Sequence, residues 1–309
     1  MTQAVVRTLR LSDAPHLPEL VNACNQVDGW AFRETIESLD PASADAGLPP
    51  ERYWQVAEDN GRLVGLAALG RAKGTRMYCM LWVLPERRGM GLERQLVAGL
   101  ISGERSFPES CLDVAVRASQ RSYADALVNE LGFSLVRTWY VMRIELGADL
   151  PPAVLPPGVK MRSFVPGQDE VMLTSVVDDC FWDHWGEGEH RLEDIEGGVH
   201  LPQFDRELLF FAQRGGQVLG YCWSWLEPER ARLIGDNCAY IGDLGVRLAF
   251  RRQGVGRALL LTALARIKSG GAVAAELDMD GPNENARRLY ESVGFFEHIE
   301  VNWYRRQLS

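Results

Sequence analysis

A chain of 309 residues is long enough for two domains of ordinary size, each burying its own core. Forty-two acidic against 33 basic residues give a formal net charge of −9, which argues against a nucleic-acid-binding surface. The six cysteines (Cys24, Cys79, Cys111, Cys180, Cys222 and Cys238) lack CxxC spacing and read as buried free thiols. The sequence shows no signal pattern and no apolar run of membrane-spanning length, so no membrane association and a cytoplasmic location are expected.

In chain order, Val5-Val6-Arg7-Thr8-Leu9-Arg10 alternates like an opening strand. Val56 to Leu69 reads as a hairpin turning at Asn60-Gly61. Val83-Leu84-Pro85-Glu86-Arg87-Arg88-Gly89-Met90-Gly91 then closes an apolar run with an arginine- and glycine-bearing turn. Residues 147–158 are too proline-dense for a helix or a central strand and read as an extended, semi-rigid linker. After this linker the pattern returns. Leu208 to Trp225 repeats the hairpin, turning at Gly215-Gly216. Val246 to Gly254 echoes the earlier turn at an offset of 163, with Val83, Arg88 and Gly91 matching Val246, Arg251 and Gly254. Leu131-Gly132-Phe133 recurs as Val293-Gly294-Phe295, and Trp139-Tyr140 recurs as Trp303-Tyr304. The repeat predicts two tandem α/β domains with mixed sheets, residues 1–146 and 159–309.

The second copy carries the more complete chemistry. Its apolar segment Tyr240 to Val246 runs through Arg251-Arg252-Gln253-Gly254-Val255-Gly256 into an apolar-striped helix beginning near Arg257. A strand that passes through a glycine turn into a helix presents several free backbone N–H groups in one concavity, at the positive end of the macrodipole. Gly254 and Gly256 remove Cβ atoms that would block a ligand, and the neighbouring arginines add positive charge. These features predict a pyrophosphate cradle. A P-loop would need a Lys-Ser/Thr pair after the second glycine, and a dinucleotide fingerprint would need Gly or Ala where Leu259 stands. Downstream, a strand-like run from Val273 to Asp280 leads to Asn283. From there Ala286, Leu289, Tyr290 and Val293 share one helix face, with Asn283 as cap and Gly294 as terminator.

The pair of motifs, Arg251-x-x-Gly254-x-Gly256 and Asn283-x-x-Ala286-x-x-Leu289-Tyr290-x-x-x-Gly294-Phe295, resembles the coenzyme A loop and the following helix of the GNAT N-acetyltransferase superfamily. The resemblance covers nearly the whole chain and is specific in the second half. It implies two tandem GNAT-like acyl-CoA N-acyltransferase domains, acetyl-CoA as cosubstrate, no metal, and a small-molecule primary amine as acceptor. It further implies that Leu244, Gly245 and Val246 meet the acetyl carbonyl and pantetheine through their backbone. Arg251, Arg252, Gln253, Gly254, Val255, Gly256 and Arg257 would cradle the pyrophosphate, with Asn283 and Tyr290 beside it. Tyr290 is the implied proton donor to the departing sulfur, although its place on the apolar stripe also suits a core aromatic.

The general base departs from the family pattern. Many members carry a glutamate six residues before the valine of strand four, and Tyr240 occupies that slot. Asp243 is the first choice by proximity, but strand alternation puts it on the opposite face unless a bulge intervenes. Asp236, Glu276, a water chain, and a Tyr240 of strongly lowered pKa remain open.

In the first copy Glu93 stands at the position of Gly256, Val128 at that of Tyr290 and Arg121 at that of Asn283. A carboxylate in the cradle opposes phosphate, so the first domain reads as non-catalytic. One degenerate half followed by a complete half is similar to the mycothiol synthase-like tandem acetyltransferases, a likeness of arrangement and not of substrate. Acceptor choice falls on residues 178–190, which place Phe181, Trp182, His184 and Trp185 among Asp178, Asp179, Asp183, Glu187 and Glu189. Aromatic walls beside carboxylates suit an amine on an organic body, and a solvated acidic loop with Trp182 and Trp185 in the core is the other reading. His184 and His190 have no recognised metal spacing. Against the enzyme stands the alternative of a non-catalytic coenzyme A-binding sensor or interaction protein.

Overall fold

The computed structural model describes residues 4–28, 49–71, 76–102, 111–147, 150–182, 184–185, 190–201, 204–228, 231–232 and 235–308. Two compact units divide the chain, Met1–Thr138 with Glu300–Ser309, and Trp139–Ile299. The first begins with β1 (Val5–Thr8), α1 (Leu17–Asp28), α2 (Pro50–Tyr53), β2 (Trp54–Asp59), β3 (Arg62–Arg71) and β4 (Arg76–Val83). It continues with α3 (Leu92–Ile101), β5 (Cys111–Arg117), α4 (Arg121–Asn129) and the start of β6 (Ser134–Glu145). The second holds β7 (Lys160–Ser163), α5 (Glu170–Phe181), α6 (Leu192–Val199), β8 (Leu209–Arg214), β9 (Gln217–Leu226) and β10 (Cys238–Val246). It closes with α7 (Val255–Ser269), β11 (Ala274–Asp280), α8 (Glu284–Glu291) and the start of β12 (Phe296–Gln307).

Each unit has the mixed sheet expected of the repeat. In the first, β1 to β5 lie in chain order and are antiparallel except for the parallel pair β4 and β5. In the second, β7 to β11 repeat that order, with β10 and β11 parallel. Both hairpin turns fall where Asn60-Gly61 and Gly215-Gly216 put them.

The sixth strand departs from the linear division read from the sequence. Residues 301–307 of β12 pair with β5 in the first unit, and residues 139–145 of β6 pair with β11 in the second. Each unit therefore takes its last strand from the other half of the sequence. The proline-rich segment also has a home. Leu150 and Ala153 pack against the core of the second unit, and Pro156 lies 3.6 Å from where a Cβ on Gly254 would sit. Ala148 and Asp149 lie outside the described residues.

The sheet of the second unit buries both faces, which explains its near-continuous apolar strands. One face packs on α7 and α8 through Ile241, Leu259, Leu260, Leu264, Leu277 and Tyr290. The other packs on α5 and α6 through Leu173, Val176, Val177, Ile195, Phe211 and Tyr221. All six cysteines are buried and free, as the spacing suggested.

Candidate active site of the second unit

The opening is created by strand pairing. β10 and β11 are in register at Cys238/Ala274, Ala239/Ala275 and Tyr240/Glu276, and the ladder ends there. Beyond this point β10 runs on to Val246 and β11 to Asp280 without pairing to each other. On its other side β10 stays paired with β9 up to Val246/Gly220, and the Arg247 amide donates to the Leu219 carbonyl at 2.9 Å. Antiparallel strands direct alternate residues toward one neighbour, so Gly245 faces β9 while the N–H groups of Leu244 and Val246 point into the opening. The resemblance had implied all three of Leu244, Gly245 and Val246 at this edge, and the strand geometry separates Gly245 from the other two.

At the end of β10 the chain turns into α7. Arg252 (φ 64°) and Gly254 (φ 82°, ψ −3°) adopt left-handed conformations, and Gly254 is the cap residue of α7. The left-handed cap aims the first helical N–H groups outward, and no side chain caps them. Gly256 is different, because the protein leaves room for a side chain at this position. A Cβ there would meet Leu289 at 3.5 Å and Val246 at 3.6 Å, ordinary contact distances, so the backbone does not demand glycine. The same contacts show that the end of β10, the first turn of α7 and the inner face of α8 converge on one spot.

The arginines of the turn divide their work. Arg251 donates from Nε to the Val246 carbonyl at 3.0 Å and from Nη2 to the Cys180 carbonyl at 2.8 Å, so its guanidinium braces β10 against α5. Arg252 is exposed and bonds Asn285 Oδ1 at 2.8 Å, and Arg257 reaches Ser292 Oγ at 2.7 Å. Gln253 accepts from Arg214 at 2.9 Å. Val255 is buried in the α7-side core.

Helix α8 follows the sequence pattern. Asn283 Oδ1 accepts the Ala286 amide at 3.1 Å and caps the helix. Tyr290 faces inward, in ring contact with Phe295 and 8 % exposed. Burial, with Cys222 nearby, pushes the Tyr290 hydroxyl above the usual tyrosine range, so it stays protonated at neutral pH. It is a core aromatic that keeps its proton.

A bulge decides the orientation of Asp243. Ile241 pairs with Ser224 while Asp243 pairs with Trp223, which leaves Gly242 as an extra residue. Ala239 and Ile241 therefore face the α7-side core, and Leu244 and Val246 pack against that same side. Tyr240 and Asp243 share the opposite face. Asp243 lies beside the fully buried Tyr221 hydroxyl, which burial and this carboxylate push well above its usual range. Burial likewise raises the Cys180 thiol to about 12.

On β11 the same face carries Glu276, Asp278 and Asp280, at alternate positions between the core residues Ala275, Leu277 and Met279. Arg143 on β6 binds both Glu276 (2.8 Å) and Asp236 (3.0 Å). Asp236, Cys238 and Glu276 bring potential ligand atoms within 4.8 Å of one another, but this guanidinium already neutralises the carboxylates. Neither Asp236 nor Glu276 is thus a free base. Tyr240 packs against Trp225 at 5.2 Å, and its hydroxyl is pushed up by burial and by Asp278, opposite to the lowered pKa considered from sequence. Asp278 was not singled out in the sequence. The signal was the alternation Glu276-Leu277-Asp278-Met279-Asp280, with three carboxylates on one face.

The segment expected to select the acceptor borders this face. Trp139 is opposite Asp280 across the β6–β11 pair, and His184 and Trp185 meet its ring edge-on at 6.0 and 6.1 Å. His184 also packs on Phe181, while His190 bonds Asp178 Oδ1 through its backbone and its ring. Trp182 is 69 % exposed, so it is not the core residue that one reading made it. Asp183 and residues 186–189 lie outside the described residues.

The corresponding turn of the first unit has the same backbone and a different content. Gly89 (φ 70°) and Gly91 (φ 83°, ψ 5°) repeat the dihedrals of Arg252 and Gly254. Arg88 donates from Nε to the Val83 carbonyl at 2.8 Å and pairs with Asp28, as Arg251 does with Val246 and Cys180. Glu93, however, folds back so that its carboxylate accepts the Gly89 amide at 2.9 Å. An internal carboxylate thus sits in this turn, where the second unit has Gly256.

Comparisons with known proteins agree with this geometry. The model of the acetyltransferase (GNAT) family matches residues 18–133 and again residues 175–295. A mycothiol acetyltransferase of Frankia alni is 34% identical over 312 residues, covering 96% of this chain and 93% of that protein. One of Streptomyces coelicolor is 33% identical over 253 residues, 81% of this chain and 78% of the relative. Among solved structures, a GCN5-related N-acetyltransferase from Sphaerobacter thermophilus superposes with a TM-score of 0.73 at 25% identity, covering 98% of this chain and 95% of its own. A tandem GNAT protein from the clavulanic acid biosynthesis pathway shares the fold, with a TM-score of 0.69 at 14% identity over 99% of this chain and 98% of its own. With the family's model matched in two regions and its fold repeated in both units, this chain belongs to the GNAT acetyltransferase family and is a tandem acyl-CoA-dependent N-acyltransferase.

Proposed function

We propose that the second unit moves an acetyl group from acetyl-CoA directly to the primary amine of a small molecule, and that the first unit is non-catalytic. The observation that carries this reading is the parting of β10 and β11 after Tyr240/Glu276, with an open helix N-terminus at the end of β10. In it the pyrophosphate lies on the amides of Val255, Gly256 and Arg257, with Gln253, Arg252 and Asn283 at its margin. Arg251 shapes the turn from beneath. The N–H groups of Leu244 and Val246 hold the thioester carbonyl and then the tetrahedral oxyanion, with Gly245 between them. The amine nitrogen attacks the carbonyl carbon, the C–S bond breaks, and Tyr290 gives its proton to the leaving thiolate. A carboxylate of the cleft face, Asp243 or Asp278, takes the proton that the ammonium must lose first.

The acceptor side combines Asp243, Asp278 and Asp280 with Trp139, His184 and Trp185, a surface suited to a cationic amine on a polar organic body. Mycothiol acetyltransferases among the relatives make deacetylated mycothiol the first acceptor to try. The net charge of −9, and the lack of a membrane-spanning helix among the described residues, favour a cytoplasmic enzyme without nucleic-acid partners. Calorimetric titration of acetyl-CoA into the intact chain, followed by thiol release with deacetylated mycothiol and simpler amines, tests the reading. Binding with amine-dependent release supports it. Binding without release on any amine favours the sensor, and no binding refutes both.

A further inference from the structure

We infer that the proton acceptor of the second unit is Asp278 on β11, held in place by the Tyr240 hydroxyl on β10, and not a carboxylate of β10 itself. The inference rests on the transfer reading above and names the group that reading leaves open.

The two groups meet at the apex of the opening. Tyr240 is the last β10 residue paired to β11, and Asp278 lies two residues past its partner Glu276, on the same face of that strand. The place that would carry a carboxylate on β10 thus holds a hydroxyl, and the neighbouring strand brings a carboxylate to it. Parallel pairing puts both side chains on one face of the sheet, and burial together with Asp278 pushes the Tyr240 hydroxyl up. The Trp225 ring packs against that of Tyr240, tilted by 38° at 5.2 Å.

The other carboxylates of this face are engaged elsewhere. Glu276 is bound by Arg143 at 2.8 Å and is 4 % exposed, and Asp280 is 6 % exposed. Asp243, turned to this face by the bulge, lies against Tyr221 and the Cys180 side of α5. Asp278 alone among the carboxylates on this face of β11 is open to solvent. Desolvation by the surrounding protein raises its pKa. Glu276 adds to that rise and Tyr240 partly opposes it. The charged and titratable groups facing the pair are Glu276 on β11 and Glu227 after β9, with Arg143 on β6 and His298 on β12 reaching it through Glu276. A base needs a pKa moved toward the working pH and an exit for its proton, and Asp278 has both.

In the step, the substrate ammonium gives a proton to the Asp278 carboxylate, and the neutral nitrogen attacks the thioester carbon. When the C–S bond breaks, the thiolate takes the Tyr290 proton. The amide nitrogen then loses its second proton, which restores Tyr290, and Asp278 releases its own to solvent. One ammonium and one thioester become one amide, one thiol and one proton. Tyr240 touches no reacting atom in this scheme and is a positioning residue.

The test compares D278N, D243N and Y240F in the intact chain, with acetyl-CoA affinity and thermal unfolding as controls. D278N is expected to lower kcat by about a hundredfold while acetyl-CoA affinity and the unfolding temperature hold. The deficit should shrink with an acceptor whose amine is already neutral at the assay pH, because such an amine needs no base. Y240F should cost less and move the acidic limb of the kcat/KM profile to higher pH, since the lost hydrogen bond had favoured the ionised carboxyl. A D278N chain that turns over like the parent overturns the inference and leaves the transfer reading intact, as does a loss seen only in D243N. A parent chain that binds acetyl-CoA but acetylates no amine overturns both.

Discussion

The Glu93 carboxylate accepts the Gly89 amide at 2.9 Å, inside a turn whose counterpart in the second unit has Gly256 at that position. The backbone is shared, with Gly91 at φ 83° and Gly254 at φ 82°. A carboxylate in the first turn of α3 is well placed against the helix dipole and puts negative charge where a phosphate would sit. Replacing Glu93 with Gly in the intact chain is expected to add a second, weaker equivalent of bound acetyl-CoA, counted by calorimetry. A stoichiometry that does not change would mean that Glu93 is not what keeps the first turn closed.

Gly256 offers the reverse experiment. Because a Cβ there meets only Leu289 and Val246 at ordinary distance, Gly256→Ala should fold as well as the parent or gain roughly 0.5–1 kcal/mol from helix propensity. Gly256→Glu, copying the first unit, should leave the chain folded and abolish acetyl-CoA binding. Undiminished binding by the Glu variant would remove this turn as the phosphate site.

Tyr290→Phe should lower kcat by about a hundredfold with little change in acetyl-CoA affinity. The raised pKa of Tyr290 has a stability consequence of definite sign. The folded state favours the neutral phenol, so its contribution is complete below the unfolded pKa of about 10 and is lost as pH rises beyond that. The Phe variant should therefore show a shallower alkaline fall in unfolding temperature than the parent. A kcat equal to the parent's would dismiss Tyr290 as the acid.

The exchanged strands predict how the chain can be divided. A fragment of residues 159–309 lacks β6 and leaves the β11 edge from Ala274 to Asp280 unpaired, while carrying β12 residues that belong to the first unit. It is expected to aggregate or to unfold at a much lower temperature. A fragment of residues 139–299, which keeps β6, should be the better folded of the two by circular dichroism. The opposite order would mean that β6 is dispensable to the second unit.

Much of the second unit was legible in the sequence because its signals are local. The left-handed cap at Gly254, the Asn283 cap and the inward stripe of Ala286, Leu289 and Tyr290 depend on backbone sterics and helical period over a few residues. Glu93 at the place of Gly256 was visible for the same reason, since the repeat fixes the alignment. The sequence by itself thus determined a tandem mixed α/β chain of the GNAT family, with the glycine turn motif complete in its second half and interrupted by Glu93 in its first. Other features needed the tertiary structure. The bulge at Gly242, which brings Asp243 to the face of Tyr240, arises from pairing with a strand about 20 residues away and has no local code. The exchange of β6 and β12 is a choice between edges that the strands' own patterns do not distinguish. The meeting of Tyr240 and Asp278 depends on the register of two parallel strands, and register is set by packing across the whole sheet.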